Sequence, residues 1–76
     1  MGVRKLFGML GNELRKAREA AELSQEKLAL TADVDRTYIS ILENDKKSPT
    51  VEMLFRLCEV LGTPASEILR RVEENG

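Results

Sequence analysis

Apolar residues along this chain recur at intervals of three and four rather than two, which is the period of helices packed on one face. Leu6, Leu10, Leu14, Ala17 and Ala21 form one such series and predict a first helix from about Phe7 to Ala20, with Gly8 and Gly11 loosening its start and Met1 to Leu6 fraying. Ser24 follows as an N-cap, because its hydroxyl accepts from an otherwise unpaired backbone N–H ahead of the helix formers Gln25 to Leu30. A second helix is expected from about Gln25 to Ala32. Asp33 to Asp35 interrupt it: aspartate tolerates a left-handed backbone and competes for local N–H groups, and Asp35 is a second N-cap candidate. The third helix then begins at Arg36.

Asn44 to Ser48 is a polar turn, and Pro49-Thr50 sets up a fourth helix with Thr50 as N-cap and Glu52 in its positive first turn. Its expected apolar stripe is Val51, Leu54, Phe55, Leu57, Cys58 and Leu61, with Gly62 as the stop. Thr63-Pro64 has the order of an N-cap followed by proline at the first helical position, and predicts a fifth helix to about Glu73 carrying Ile68, Leu69 and Val72. No repeat and no strand alternation interrupts this series. The fold class is all-α, five short helices around one core in a single domain of residues 1–76.

The second and third helices carry the chemistry. On the third, Ile39 and Leu42 fall three apart and reach back to Leu28 and Ala32, while Arg36, Thr37, Ser40, Ile41 and Asn44 share the opposite side. One face packs and the other is free to read, which is the plan of a helix-turn-helix over residues 24–43. The segments Leu-Ser-Gln-Glu-Lys-Leu-Ala, Asp-Arg-Thr-Tyr-Ile-Ser, Leu-Glu-Asn-Asp-Lys-Lys-Ser-Pro-Thr and Leu-Cys-Glu-Val-Leu-Gly resemble, in that order and spacing, the phage-repressor and Cro-like helix-turn-helix family of bacterial regulators. The resemblance spans roughly Leu10 to Leu69 and implies a lambda-repressor-like DNA-binding domain. Among stand-alone members of this length, the controller proteins of restriction–modification systems are the most similar, with short prophage repressors and antitoxins on the same scaffold. Two positions depart from the family pattern: Glu22 and Asp33 stand where its loop and its turn often have glycine. Aspartate is workable there, whereas glutamate is less natural at a positive φ.

Length and composition narrow the picture. Seventy-six residues are close to the lower size at which an unassisted core suffices, so burial in a dimer would add stability. One cysteine, Cys58, forms no internal disulfide and is assigned to the core; with no secretory leader pattern, a reducing cytoplasm is expected. No apolar run approaches the roughly 20 residues of a membrane span. The net charge of −1 argues mildly against nucleic acid, but Arg4, Lys5, Arg15, Lys16 and Arg18 stand against only Glu13 in the first eighteen residues, and Lys46 and Lys47 follow the third helix.

Base contacts are expected from Arg36 and Thr37, since the first residues of a recognition helix face base edges and a guanidinium fork fits guanine O6 and N7. Ser40 and Ile41, one turn on, are further base candidates; the alternative for Ile41 is packing on the neighbouring helix. Gln25 sits at a helix N-terminus suited to phosphate, and the resemblance implies the same role for it. Asn44, Lys46, Lys47 and Ser48 are candidates for clamping the DNA backbone, the alternative being a solvated turn. Tyr38 borders both sides: either its ring fills the core or its hydroxyl reaches a phosphate or a deformable base step. The resemblance further implies that Arg18 and Glu43 form a mostly buried structural ion pair.

The expected function is a homodimeric transcriptional regulator on a pseudo-palindromic double-stranded DNA operator, its recognition helices about 34 Å apart. Residues 57–73, with Leu61, Ile68, Leu69 and Val72 among them, are the candidate dimer surface, although the monomer core claims some of these, Val72 being the least suited to it. The competing readings are an antitoxin, which adds a toxin partner to DNA binding, and a protein-interaction module on the same fold that has lost DNA binding; the presence of Arg36, Lys46 and Lys47 disfavours the module. No histidine, no second cysteine and no phosphate loop are present, so neither an enzyme nor a metal site is expected, nor a cofactor or small-molecule ligand. An acidic patch of Glu19, Glu22 and Glu26 is a conceivable contact for RNA polymerase.

Overall fold

The computed structural model describes residues 3–75, and side chains from Leu10 to Asn75. Five helices follow one another: α1 (Val3–Ala20), α2 (Gln25–Ala32), α3 (Arg36–Glu43), α4 (Val51–Leu61) and α5 (Ala65–Asn75). Among the described residues there is no strand. α1 begins four residues earlier than the pattern of apolar positions predicts, at Val3 rather than Phe7, so the segment expected to fray is helical from there on. The side chain of Leu6 lies outside the described residues.

Each short helix is bounded by its own local chemistry. Ser24 Oγ accepts from Lys27 N–H at 3.0 Å and Thr50 Oγ1 from Met53 N–H at 3.1 Å, capping α2 and α4. Gly62, at φ 72°, ends α4 in the left-handed conformation that glycine adopts without strain. Asp35 occupies the N-cap position of α3, yet its carboxylate makes no capping hydrogen bond, leaving its charge to act on the positive end of the helix. α5 starts at Ala65, one residue later than the Thr-Pro order predicts: the Pro64 carbonyl accepts from Ile68 N–H at 3.2 Å, placing proline just ahead of the helix.

The core joins Leu14 and Ala17 of α1 to Leu28, Ala29 and Ala32 of α2, Ile39 and Leu42 of α3, and Leu54, Leu57, Cys58 and Leu61 of α4. α5 closes it with Ala65, Ile68 and Val72, laid along α1. Cys58 is buried, and loss of solvation pushes its thiol above the ordinary value. The expected stripe of α4 is narrower than predicted: Leu54, Leu57, Cys58 and Leu61 are buried, whereas Val51 and Phe55 are 70% and 61% exposed.

Gly11 does not loosen α1; it is the point where α1 crosses the end of α3. A Cβ at this position would lie 2.6 Å from the carbonyl oxygens of both Leu42 and Glu43. Its N–H donates to Asp45 Oδ1 at 2.9 Å, a link between α1 and the loop after α3. At the other end, Glu13, only 3% exposed, accepts from Asn75 Nδ2 at 3.1 Å and pairs with Lys16 at 3.2 Å, tying the end of α5 to α1.

Candidate nucleic-acid interface

Three residues make the turn between α2 and α3. Asp33 adopts φ 61°, ψ 48°, and the next N–H, of Val34, reaches back to the Ala29 carbonyl at 2.9 Å, closing α2 in the manner of a Schellman turn. Val34 packs against the core and Asp35 opens α3. Because Ile39 is 1% and Leu42 2% exposed, the rotation of α3 about its own axis is set by the core. What remains outward is the other face: Arg36 and Thr37 exposed at its start, Ser40 and Ile41 half-buried one turn on.

Tyr38 is half-buried with its ring against the core, while Asn44, Lys46, Lys47 and Ser48 are exposed after the helix. Asn44 turns back on α3, its amide donating to the Ser40 carbonyl at 2.9 Å and to Ser40 Oγ at 3.3 Å. Asp45 takes a positive φ of 59°, and its carboxylate receives the Gly11 N–H, which anchors the turn bearing the two lysines. Neither Gly11 nor Asp45 stood out in the sequence as part of this region. The available signal was a glycine inside an otherwise helical apolar series.

Behind the exposed face lies a charged network. Arg18 Nε is 2.6 Å from Glu43 Oε2 and Nη2 3.1 Å from Oε1, a fork-on-carboxylate pair whose side chains are 12% and 4% exposed. The third arm, Nη1, donates to the Leu23 carbonyl at 2.8 Å and so holds the loop before α2. The hydrogen bond to Glu43 raises the guanidinium's pKa further, outweighing the loss of solvation. Gln25 Nε2 also donates to Glu43 Oε1, at 3.0 Å. Part of the Gln25 amide is thereby turned inward, and its second amide hydrogen has no partner among the described residues.

The loop before α2 is completed by Glu22 at φ 60°, the left-handed backbone for which glutamate is poorly suited. The expected dimer surface needs correction. Leu61, Ile68 and Val72 are 6%, 0% and 6% exposed within a single chain, since α5 uses them to close the core, and only Leu69, at 46%, faces outward. Val72 in particular is a core residue. Leu69 and the exposed Phe55 instead flank an open, mostly apolar groove of about 580 Å³ between α4 and α5, floored by Cys58, Gly62 and Ala65.

An outward polar helix face, set by apolar anchors and preceded by a capped helix with free N–H groups, defines a helix-turn-helix nucleic-acid reader. The comparisons agree. The helix-turn-helix family profile matches residues 14–68. The control protein C.MunI of Mycoplasma sp is 40% identical over 65 residues, covering 84% of this chain and 88% of its own. Among solved structures, the clp gene regulator ClgR of Corynebacterium glutamicum superposes with a TM-score of 0.86 at 29% identity, covering 91% of this chain and 88% of that one. The restriction-modification controller protein C.AhdI of Aeromonas hydrophila does so at 0.78 and 29%, covering 82% and 94%. The chain belongs to the helix-turn-helix family of DNA-binding regulators. No described helix is long and apolar enough to cross a membrane.

Proposed function

We propose that this protein is a sequence-specific regulator that acts in the cytoplasm as a homodimer on a pseudo-palindromic operator, in the manner of a restriction–modification controller. The observation that carries this reading is the outward face of α3: an exposed Arg36, with no ion-pair partner among the described residues, beside Thr37, on a helix whose rear is locked by Ile39, Leu42 and the Arg18–Glu43 pair. Arg36, Thr37, Ser40 and Ile41 address base edges; the N-terminus of α2 at Gln25, the Tyr38 hydroxyl, Lys46, Lys47 and Ser48 address the phosphates, while the Asn44 amide is turned back onto Ser40. The 40% identity to a control protein supports the subfamily. Glu19, Glu22 and Glu26, all exposed, form the surface offered to RNA polymerase.

The second copy docks on the groove edged by Phe55 and Leu69, which lies within the 57–73 region apart from Phe55 itself. A chain of 76 residues has little core of its own, and a two-fold operator needs two recognition helices about one DNA turn apart. The test is binding to the DNA upstream of the protein's own gene against scrambled competitor over a salt series, with Arg36→Ala alongside. Competitor-resistant binding with a dimer-sized footprint is expected, and the variant loses about 1–3 kcal/mol at one base pair per half-site. Equal weakening on all sequences would reassign Arg36 to a phosphate. Binding equal on all DNA, or none at low salt, would replace the operator reading with an interaction module. Phe55→Glu should shift the sedimentation of the protein from dimer to monomer without lowering its helicity.

A further inference from the structure

Asn44 folds its amide onto the recognition helix rather than outward, and this fixes the hydrogen-bonding character of Ser40. Asn44 Nδ2 lies 2.9 Å from the Ser40 carbonyl and 3.3 Å from Ser40 Oγ. An amide nitrogen only donates, so Ser40 Oγ serves it as an acceptor. A serine hydroxyl has a single proton and two lone pairs. Within a helix that proton is ordinarily given to the carbonyl four residues back, but among the described residues the Ser40 hydroxyl donates to no group. Ser40 is half-buried on the face shared with Arg36 and Thr37, and its proton is left to the solvent side.

We infer that Asn44 is a specificity-determining residue that acts through Ser40: by taking one of the hydroxyl's two lone pairs and leaving its proton free, it biases Ser40 toward donating, which favours a base presenting an acceptor at that place in the major groove. The acceptors there are guanine N7 and O6, adenine N7 and thymine O4, while cytosine N4 and adenine N6 are donors that compete with Asn44 for the hydroxyl's lone pairs and leave its proton without a partner. The role rests on the operator-binding reading above, and differs from a phosphate contact by Asn44, which would carry no sequence information. Asn44→Asp inverts the arrangement. A carboxylate cannot donate, so it accepts the Ser40 proton and turns the hydroxyl's lone pairs toward the DNA. Asn44→Ala removes the amide and leaves the hydroxyl free to take either part.

The experiment is selection of bound sequences from a randomised operator library by the full-length protein, its Asn44→Asp and Asn44→Ala variants, and the same three with Ser40→Ala. Thermal unfolding of each variant checks that it is folded at the selection temperature. The expected result is that Asn44→Asp reverses the preference at one base pair per half-site by about fivefold, the worth of one neutral hydrogen bond, and that Asn44→Ala relaxes it. Both effects should vanish in the Ser40→Ala background. The added charge of aspartate also weakens binding to every sequence, but a uniform, salt-dependent loss with the base order unchanged would overturn the inference. So would a reordering that persists without the Ser40 hydroxyl. Selection of no sequence by the unaltered protein would overturn the operator reading itself, and this inference with it.

Discussion

Truncating Arg18 to alanine removes three hydrogen bonds at once: two to the Glu43 carboxylate and one to the Leu23 carbonyl. Glu43, its side chain 4% exposed, keeps only the Gln25 amide as a described partner. Leaving such a carboxylate poorly solvated costs about 3–5 kcal/mol. A chain of 76 residues at ~0.05–0.15 kcal/mol per residue has about 4–11 kcal/mol of stability in total, so the variant loses from about a quarter to all of it. At roughly 4–8 °C per kcal/mol, the melting temperature should fall by at least about 12 °C. The assay is thermal unfolding by far-ultraviolet circular dichroism of the parent, Arg18→Ala, and the double variant Arg18→Met with Glu43→Leu. The double variant contains no orphaned charge and should recover most of the loss, since apolar pairs of similar volume replace buried ion pairs at little cost. DNA binding by Arg18→Ala should track its folded fraction. A single variant melting within about 3 °C of the parent, or a double variant no better than the single, would refute the reasoning.

Three further outcomes follow from particular residues. Glu22→Gly relieves about 1 kcal/mol of left-handed strain against roughly 0.5 kcal/mol of added chain entropy, so its melting temperature should rise by a few degrees while Glu22→Ala gains nothing; an equal rise in both would point away from the backbone. Gly11→Ala is a test of sign: helix propensity alone predicts a gain of about 1 kcal/mol, whereas two carbonyl oxygens 2.6 Å from the new Cβ predict a net loss of about 1–3 kcal/mol, read by urea denaturation. On α5, Arg70, bonded to both Glu67 and Glu74, holds the Glu67 carboxyl below its usual value with Arg71 assisting. A depressed carboxylate stabilises the fold above its unfolded pKa and ceases to do so as the pH falls through the folded one. Glu67→Gln should therefore melt slightly below the parent near neutrality and coincide with it in acid; a constant difference at every pH would exclude the ion pairs as its cause.

Helix ends were the most legible feature of the sequence, because they are local. Ser24, Thr50 and Gly62 act within three or four residues of themselves, so α2 and α4 occur as the residues require. The inward and outward faces of α3 were equally readable, since Ile39 and Leu42 can satisfy the helical period against Leu28 and Ala32 in only one rotation. The dimer surface was not. Leu61, Ile68, Leu69 and Val72 are equivalent as apolar residues on amphipathic helices, and only the packing of α4 and α5 into the core decides that, of the four, Leu69 is left outside. Phe55 belongs to the expected apolar stripe of α4 by the same spacing, and is exposed at the edge of the groove between α4 and α5.

By itself, then, the order of residues determined five helices, the N-caps of α2 and α4, the outward face of α3 and the family, because each depends on spacing along one helix or on a motif contained in a short segment. Tertiary structure decided what depends on distances between segments. It placed Gly11 against the end of α3, gave Glu43 the shared partners Arg18 and Gln25, and folded the Asn44 amide onto Ser40. No periodicity encodes these contacts. They arise from which helix crosses which, and at what depth, once the apolar faces have been buried together.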